Sequence, residues 1–390
     1  MKSTSRDLVT IALFTLATTF LIWLPHLLGL QNFLGLNFES GFATIYRNFD
    51  GLEYVVIAKS FYDPSIISNF PLVSQGANYY ASHFPGYALL ILLFSPLVGF
   101  LKSMLLASLL STIAAAYAFY FLVKDFKLTD KPLALTLIFL ILPARWLIVR
   151  SVGSAEPLFI FFTILAIYFF MKYEVAKKYK FIFFSAIAAL FAQITRPPGI
   201  LLFIALAIYV HYKVFVQMKI QGFLKPFASH FRFLPFLLVP LGLLGVFYLY
   251  SQTYGDFFAY FHSGDNIHLT FPPYQALNKN QFWVGQIWLE DIIYIFALEF
   301  LAGFLLLKRK LYIMAFFVFT YTAFSTLVAH RDISRYTLPV VPFAIIAFEK
   351  VLVSREFKIV LVILALAIYL YSQNFILENT APVQNLSVFN

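Results

Sequence analysis

The sequence predicts an all-α polytopic membrane protein with about 11 transmembrane helices and additional interfacial helices in its first outer loop. Of its 390 residues, 61% are hydrophobic and 12% are charged, whereas a soluble domain usually carries about a quarter charged residues. The apolar residues form long runs and do not alternate with polar ones, which excludes a β-barrel and leaves helices as the spanning elements.

Twelve apolar runs are candidate crossings, because a spanning helix needs roughly 20 mostly apolar residues. They are Leu8–Leu30, Phe84–Leu101, Ser103–Val123, Pro132–Val149, Pro157–Met171, Phe181–Thr195, Pro198–Phe215, Phe233–Tyr250, Ile287–Leu307, Leu311–Ala329, Tyr336–Phe348 and Ile359–Tyr371.

The basic residues between these runs orient the chain, since Lys and Arg accumulate on the cytoplasmic side of a membrane. If all runs crossed, Lys2 and Arg6 would be separated from the cluster at 124–131 by three crossings and would face the opposite side. We therefore expect Phe84–Leu101, which contains Pro96, to lie at the outer interface, leaving eleven crossings. The net charge of +10 is then a topology signal and does not indicate a nucleic-acid partner.

We expect one domain over residues 1–390, placed in the cell membrane, with the outer loop 31–102 carrying the interfacial helices. The chain has no cysteine, which excludes disulfides, Cys-ligated metals and thiol catalysis. It also lacks the glycine-rich motifs of nucleotide-binding proteins. The many Phe and Tyr residues are interpreted as helix packing and lipid contact. We expect no cofactor.

Ionisable side chains collect in the loops predicted to face outward, and this predicts a polar cavity on that side. Such groups beside membrane spans are costly unless they are paired or line a wet cavity. The candidates from this set are Asp50, Glu53, Glu156, Arg196, His262, Asp265, Arg331 and Arg335.

Asp50 precedes a short segment that is predicted to be an amphipathic helix lying on the membrane. Two interpretations stay open for its carboxylate. It can cap the helix, as aspartate often does, or it can serve as a general base at the rim of the membrane.

The loop with His262 and Asp265 does not have the spacing of a known metal motif. We expect no metal there and favour a loop that binds the acceptor or covers the site. Arg331, between His330 and Asp332, is either a phosphate contact or part of a solvated turn.

Five short motifs resemble, in the same order, those of the PIG-V-type mannosyltransferases of the GT-C superfamily. The first is Phe49-Asp50-Gly51 with Tyr54 and Ile57-Ala58, similar to the W-D-G…Y…I-A signature of the family's first loop. The others are His83-Phe84-Pro85-Gly86-Tyr87, Ser154-Ala155-Glu156, Arg196-Pro197-Pro198-Gly199 and Ser334-Arg335-Tyr336-Thr337-Leu338-Pro339. Phe49 replaces tryptophan, Ala155 separates the serine from the glutamate, and Ser334 replaces proline.

The resemblance implies a transferase that takes a sugar from a polyprenyl- or dolichyl-phosphate donor. An acceptor hydroxyl on an extracytoplasmic glycan or glycolipid displaces the lipid phosphate with inversion at the anomeric carbon. Asp50 matches the family's first-loop aspartate and is expected to be the base. Arg196, Arg335 and Arg331 are expected at the phosphate, and the residues expected to bind substrate are Glu53, His83, Tyr87, Glu156, His262, Asp265 and Tyr336.

Plainer interpretations remain for several of these residues. An interfacial arginine can simply extend its charge to water, which applies to Arg196 and Arg335. Glu156 can bind sugar hydroxyls or a cation, but a carboxylate at a helix N-terminus is also favourable without a ligand.

Three other functions compete with the mannosyltransferase. A transporter or lipid flippase would carry related halves and polar residues at mid-membrane, and neither is evident. A GT-C enzyme with a protein or lipid A acceptor is compatible with the same motifs. A non-catalytic scaffold is disfavoured by the ionisable groups in the outer loops.

Overall fold

The computed structural model describes residues 2–72, 76–221, 229–264, 269–284 and 290–390. Across these residues the chain is almost entirely helical, with three isolated β-bridges and no strand. The predicted all-α fold class is therefore confirmed. The helices are α1 (Lys2–Leu28), α2 (Ala43–Tyr46), α3 (Gly51–Ser60), α4 (Pro64–Ile67), α5 (Pro85–Val98), α6 (Phe100–Asp125), α7 (Pro132–Ile141), α8 (Ala144–Val149), α9 (Glu156–Ala176), α10 (Tyr179–Thr195), α11 (Gly199–Gln221), α12 (Leu238–Thr253), α13 (Glu290–Lys308), α14 (Tyr312–Ser325), α15 (Ile333–Tyr336), α16 (Val341–Ala347), α17 (Glu349–Leu352) and α18 (Arg355–Glu378), with 3₁₀ helices at Ala77–Ser82, Ser229–Leu237, Gln275–Leu277, Leu338–Val340 and Ser387–Phe389.

Six helical segments in the described part of the chain are long and apolar enough to cross a membrane, as expected of a multi-pass integral membrane protein. The other predicted crossings are shorter helices, or contain more charges, so the number eleven stays a prediction. α5 has 14 residues and is about 21 Å long at 1.5 Å per residue. That is less than the hydrocarbon thickness of about 30 Å, but α14, an expected crossing, also has 14 residues, so the interfacial placement of α5 stays a prediction. The six segments are Thr4–Leu28, Phe100–Asp125, Glu156–Ala176, Gly199–Gln217, Phe231–Thr253 and Arg355–Glu378.

Two runs predicted as continuous crossings are broken by proline. Pro132–Val149 divides into α7 and α8 because Leu142, directly before Pro143, is extended (φ −112°, ψ 143°). A residue before proline is disfavoured in the helical region, and proline itself has no N–H to donate. Tyr336–Phe348 is likewise divided, into the end of α15, a 3₁₀ turn and α16.

The chain forms two compact units. Unit 1 contains residues 1–161, 247–264 and 349–390, and unit 2 contains residues 162–246 and 265–348. The single domain expected over residues 1–390 stays a prediction.

In unit 1, polar side chains tie the first and last long helices to the segment before α9. His26 in α1 is buried, and its Nε2 lies 2.9 Å from Oε1 of Gln373 in α18. Arg150 is also buried and donates from Nε to the carbonyl of Leu140 and from its two terminal nitrogens to Thr18 and Thr19, at 2.7–2.9 Å. These bonds fix the position of the loop that follows Arg150.

In unit 2, α13 packs against α14 and α16, and α11 packs against α14. Glu299 of α13 is buried, and its Oε2 accepts a hydrogen bond from the Thr322 hydroxyl of α14 at 2.9 Å. A second hydroxyl, that of Thr337, also bonds to this carboxylate. The two hydrogen bonds join α13 to α14 and to Thr337, which lies two residues after Arg335.

Candidate active site

Asp50 stands at the start of α3, and the structure shows that its carboxylate does not cap the helix. The side chain is 29% exposed. Before it, Phe49 adopts a left-handed conformation (φ +47°) and stacks on Phe375, with ring centroids 5.4 Å apart. Asn48 donates from its side-chain amide to the carbonyl of Ile376 at 2.7 Å. The end of α18 therefore holds the turn that presents Asp50.

The surroundings of α3 differ from those expected for a helix lying on the membrane. Eight of its ten residues are buried, and it packs against α5 and α6. Only Glu53 and Lys59 of this helix are partly exposed. Asp50 thus opens a buried helix, and its position is set by packing within unit 1.

His83 lies close to Asp50, with Nε2 3.9 Å from Oδ2 and a side chain that is 8% exposed. Its Nδ1 lies 2.8 Å from the Ser82 hydroxyl, which donates its proton to the carbonyl of Tyr79 at 2.7 Å. The other ring nitrogen of His83, Nε2, faces Asp50.

Tyr54 and Tyr87 pack around His83. The Tyr54 ring meets His83 and Tyr87 edge to face, at centroid distances of 5.2 and 5.0 Å. The hydroxyl of Tyr87 donates to the carbonyl of Met104 at 2.7 Å and accepts from the backbone N–H of Ser154 at 3.1 Å. Tyr87 is fully buried, so its role in this structure is to hold Ser154. A direct contact with substrate stays a prediction.

The segment from Gly153 to Glu156 lies against the start of α3. A Cβ added to Gly51 would be 3.1 Å from the Gly153 carbonyl oxygen, and only a glycine pair permits this approach. Ser154 donates its hydroxyl proton to Oε2 of Glu156, which begins α9 and is fully buried. Two of the predicted carboxylates, Asp50 and Glu156, are thereby placed on adjoining segments of unit 1.

Tyrosines with buried hydroxyl groups lie in the same unit, beginning beside Glu53. Burial raises the pKa of Tyr80, and the nearby charge of Glu53 raises it further. Burial likewise raises the pKa of Tyr254, with a smaller contribution from Tyr80. Among the described residues, the buried hydroxyls of Tyr80 and Tyr254 find no hydrogen-bond partner. Unpartnered buried hydroxyls are rare, which makes these two candidates for hydrogen bonds to a ligand.

Tyr62 links the rings of Tyr250 and Tyr254 to the backbone of His83. Tyr62 donates to the backbone carbonyl of His83 at 2.7 Å. Its ring packs against Tyr250 and Tyr254, at centroid distances of 5.2 and 6.2 Å. The aromatic residues were predicted to serve in packing, so these hydroxyls were not among the predicted site residues. These hydroxyls could have been recognised in the sequence, because tyrosine stands in place of phenylalanine where the chain enters or leaves the predicted outer loops.

The segment with His262 is attached to the same unit through aromatic packing. Tyr260 contacts Phe84, the residue after His83, at a centroid distance of 5.8 Å. Nδ1 of His262 lies 2.5 Å from Oδ2 of Asp256, and this hydrogen bond is the main cause of the lowered pKa of Asp256. Asp265 lies outside the described residues. In the part of the chain that is described, no group of three or more His, Asp or Glu side chains is placed to hold a metal ion.

The predicted phosphate-binding arginines belong to unit 2. Arg196 is buried at the C-terminus of α10, followed by a turn that Gly199 closes, where a Cβ would come within 2.4 Å of Gln193. Arg335 is buried in α15, whereas Arg331 is exposed. Tyr336 contacts the His330 ring, at a centroid distance of 5.1 Å. The meeting of these arginines with Asp50 stays a prediction.

No family model matches the chain, and no curated protein matches it. Among the solved structures, two crystal structures of ArnT from Cupriavidus metallidurans match the chain. The structure bound to undecaprenyl phosphate is 14% identical, covers 91% of this chain and 63% of its own, and has a TM-score of 0.55. The apo structure is 14% identical, with coverages of 84% and 60% and a TM-score of 0.53.

The chain shares the fold of these ArnT structures. It spans less than two thirds of the length of the ArnT chains. The resemblance to the GT-C superfamily, and within it to PIG-V-type mannosyltransferases, stays a prediction.

Proposed function

We propose that this protein is a membrane glycosyltransferase of the PIG-V type. It moves a sugar, which we expect to be mannose, from a polyprenyl- or dolichyl-phosphate donor to a hydroxyl of an extracytoplasmic glycan or glycolipid. The ArnT-like fold supports a lipid-linked donor, since one of the matching ArnT structures holds undecaprenyl phosphate. The sequence motifs around Asp50 and Arg335 support the choice of family.

The observation that carries this proposal is the placement of Asp50. Its carboxylate is partly exposed, does not cap α3, and has His83 3.9 Å away. A general base must be accessible to the proton that it takes, and its surroundings must hold it in place. The packing of Gly51 against Gly153 and the bonds of Asn48 supply that support.

In the proposed reaction, the acceptor hydroxyl gives its proton to the Asp50 carboxylate as its oxygen attacks the anomeric carbon. The bond between that carbon and the lipid phosphate breaks, and the phosphate leaves with the bonding electrons. A base in this position contributes roughly 10²–10⁴-fold. His83, whose Nε2 lies 3.9 Å from Oδ2 of Asp50, helps to hold the carboxylate in place.

The departing phosphate needs positive charge, because a second negative charge develops on it as the bond breaks. We assign this role to Arg196 and Arg335, with Arg331 as a further contact. Guanidinium groups suit phosphate because their N–H groups form a fixed fork. Both Arg196 and Arg335 are buried, which strengthens such contacts relative to those in water.

The sugar and acceptor hydroxyls need hydrogen-bonding partners, and we assign them to Glu53, Tyr80 and Tyr254. Carbohydrate hydroxyls both donate and accept, as tyrosine hydroxyls do. Glu156, His262, Asp265 and Tyr336 are proposed as further contacts to substrate.

The direct test is sugar transfer by the purified protein. A panel of labelled polyprenyl-phosphate sugars, including mannose and aminoarabinose, is incubated with glycan, glycolipid and lipid A acceptors, and the products are analysed by mass spectrometry and NMR. We expect transfer of mannose with inverted configuration. Transfer of aminoarabinose alone would reject the mannosyltransferase assignment, and transbilayer movement of intact donor without bond cleavage would favour a flippase.

A further inference from the structure

A second candidate site lies in unit 2, within a cavity of about 140 Å³ between the end of α9, α11 and the 3₁₀ helix Ser229–Leu237. Three basic residues line it: Lys177, Lys213 and Arg232. Tyr173 and Tyr209 form part of its aromatic wall. The chemistry of the proposed transfer reaction does not use any of these residues.

The two lysines are held against the aromatic wall. Nζ of Lys177 lies 5.6 Å from the centroid of the Tyr173 ring, and Nζ of Lys213 lies 5.9 Å from that of Tyr209. An ammonium group over the face of an aromatic ring is electrostatically attracted to it. The cations are therefore arranged before any ligand arrives.

Positive charge exceeds negative charge around the cavity. Glu174 accepts hydrogen bonds from both Lys213 and the Tyr209 hydroxyl, so its carboxylate compensates one of the three cations. Burial lowers the pKa of Lys177, and the nearby charge of Lys213 lowers it further, while Glu174 acts in the opposite direction. An anion entering the cavity would relieve this repulsion.

The location of the cavity selects the kind of anion. Lys177 lies between α9 and α10, and Lys213 and Arg232 flank the connection after α11. The charge pattern of the sequence places both connections on the cytoplasmic side. Tyr173, Lys213 and Arg232 belong to three of the segments that are long and apolar enough to cross a membrane. A lipid whose acyl chains lie in the bilayer can reach a cavity between such helices, and this favours a lipid over a soluble phosphate compound.

From this arrangement we propose that the cavity binds the phosphate headgroup of an anionic phospholipid of the inner leaflet. Lys177, Lys213 and Arg232 contact the phosphate, and the glycerol and upper acyl chains lie along the aromatic wall. Basic pockets between membrane helices on the cytoplasmic side recognise anionic headgroups in this way. This proposal is independent of the transferase chemistry.

The test is native mass spectrometry of the full-length protein in detergent, with phosphatidylglycerol and phosphatidylcholine of identical oleoyl chains as probes. We expect preferential retention of phosphatidylglycerol. In the double variant Lys177→Gln and Arg232→Gln this affinity should fall by at least about tenfold, since each basic residue near an anionic surface contributes about 1 kcal/mol. The matched control, Lys178→Gln with Lys180→Gln, removes two charges that do not line the cavity and should retain wild-type affinity.

A gain-of-affinity variant separates the proposal from loss of folding. Glu174→Gln removes the carboxylate that competes for Lys213, so phosphatidylglycerol should bind more tightly than to the wild type. Equal binding of both lipids, or equal losses in the control and cavity variants, would overturn the proposal. Displacement of the lipid by millimolar inorganic phosphate would instead assign the cavity to a soluble anion.

Discussion

Gly51 and Gly153 are in contact, although they are far apart in the chain. Met104 closes the contact from α6: a Cβ on Gly51 would lie 2.7 Å from the Met104 sulfur, and one on Gly153 would lie 2.4 Å from it. The contact places the turn of Asp50 beside the segment that leads to Glu156. The absence of two side chains is thus what allows the two carboxyl-bearing segments to adjoin.

The first prediction concerns this contact. Gly51→Ala places a Cβ 2.7 Å from the Met104 sulfur and 3.1 Å from the Gly153 carbonyl oxygen, and overpacking of this kind typically costs about 1–3 kcal/mol. We expect a lower Tm in detergent and a larger fall in transfer activity than the loss of stability alone would give, because Asp50 moves with the turn. Gly245→Ala is the control, since a Cβ there meets no atom within 4 Å. If both variants behave alike, the contact does not position the site.

The second prediction concerns Asp50 as the base. Asp50→Asn keeps the shape of the side chain but cannot accept a proton, so we expect kcat to fall by roughly 10²–10⁴-fold with KM little changed. Since the carboxylate does not cap α3, the Tm should stay near that of the wild type. Asp63→Asn is the control from the same loop: Asp63 is exposed and caps α4 through Ser65. A fully active Asp50→Asn enzyme would exclude the assignment.

The third prediction concerns the tyrosine hydroxyls near Glu53. Tyr80→Phe and Tyr254→Phe each remove a buried hydroxyl that has no partner among the described residues, so stability should not suffer. If each hydroxyl bonds to substrate at about 0.5–1.5 kcal/mol, kcat/KM should fall by about two- to tenfold per variant. Tyr248→Phe is the control, because Tyr248 is 63% exposed. Unchanged kcat/KM in both variants would remove these residues from the substrate site.

The fold could be predicted from the sequence further than the site could. Apolar runs and basic loops indicate a polytopic helical protein because they record the local cost of burying charge. The helix that begins after Asp50 could also be predicted from the local sequence, and the structure confirms it. The division at Pro143 was visible in principle, since proline disfavours a helical residue before it.

What could not be predicted depends on contacts between distant residues. The approach of Gly51 to Gly153 and the packing of Tyr62 against Tyr250 and Tyr254 follow from how helices meet, which no local pattern encodes. The same limit explains why the tyrosines were interpreted as ordinary packing. The burial of eight of the ten residues of α3 was not predicted for the same reason.

The fourth prediction is a pH dependence. Burial raises the pKa of Tyr62, Tyr80 and Tyr254 above the ordinary tyrosine value, which is near 10. Below that value these tyrosines are protonated in both the folded and the unfolded chain and do not affect stability. Above it the unfolded chain releases their protons more readily, so the free energy of unfolding falls as pH rises. Absorbance at alkaline pH should show exposed tyrosines ionising first and these ionising only with unfolding; simultaneous ionisation would contradict the burial.

The fifth prediction concerns Glu299 in unit 2. Its carboxylate accepts hydrogen bonds from Thr322 and Thr337 inside the bundle, and Thr337 lies two residues after Arg335. Glu299→Ala leaves both hydroxyls without this partner, which should cost about 1–3 kcal/mol and lower the Tm. Since α15 then loses its tie to α13, we also expect a higher KM for the lipid-phosphate donor. Glu299→Gln retains an acceptor oxygen and should restore most of both properties; a Gln variant as impaired as the Ala variant would show that the charge of Glu299, and not its hydrogen bonds, matters.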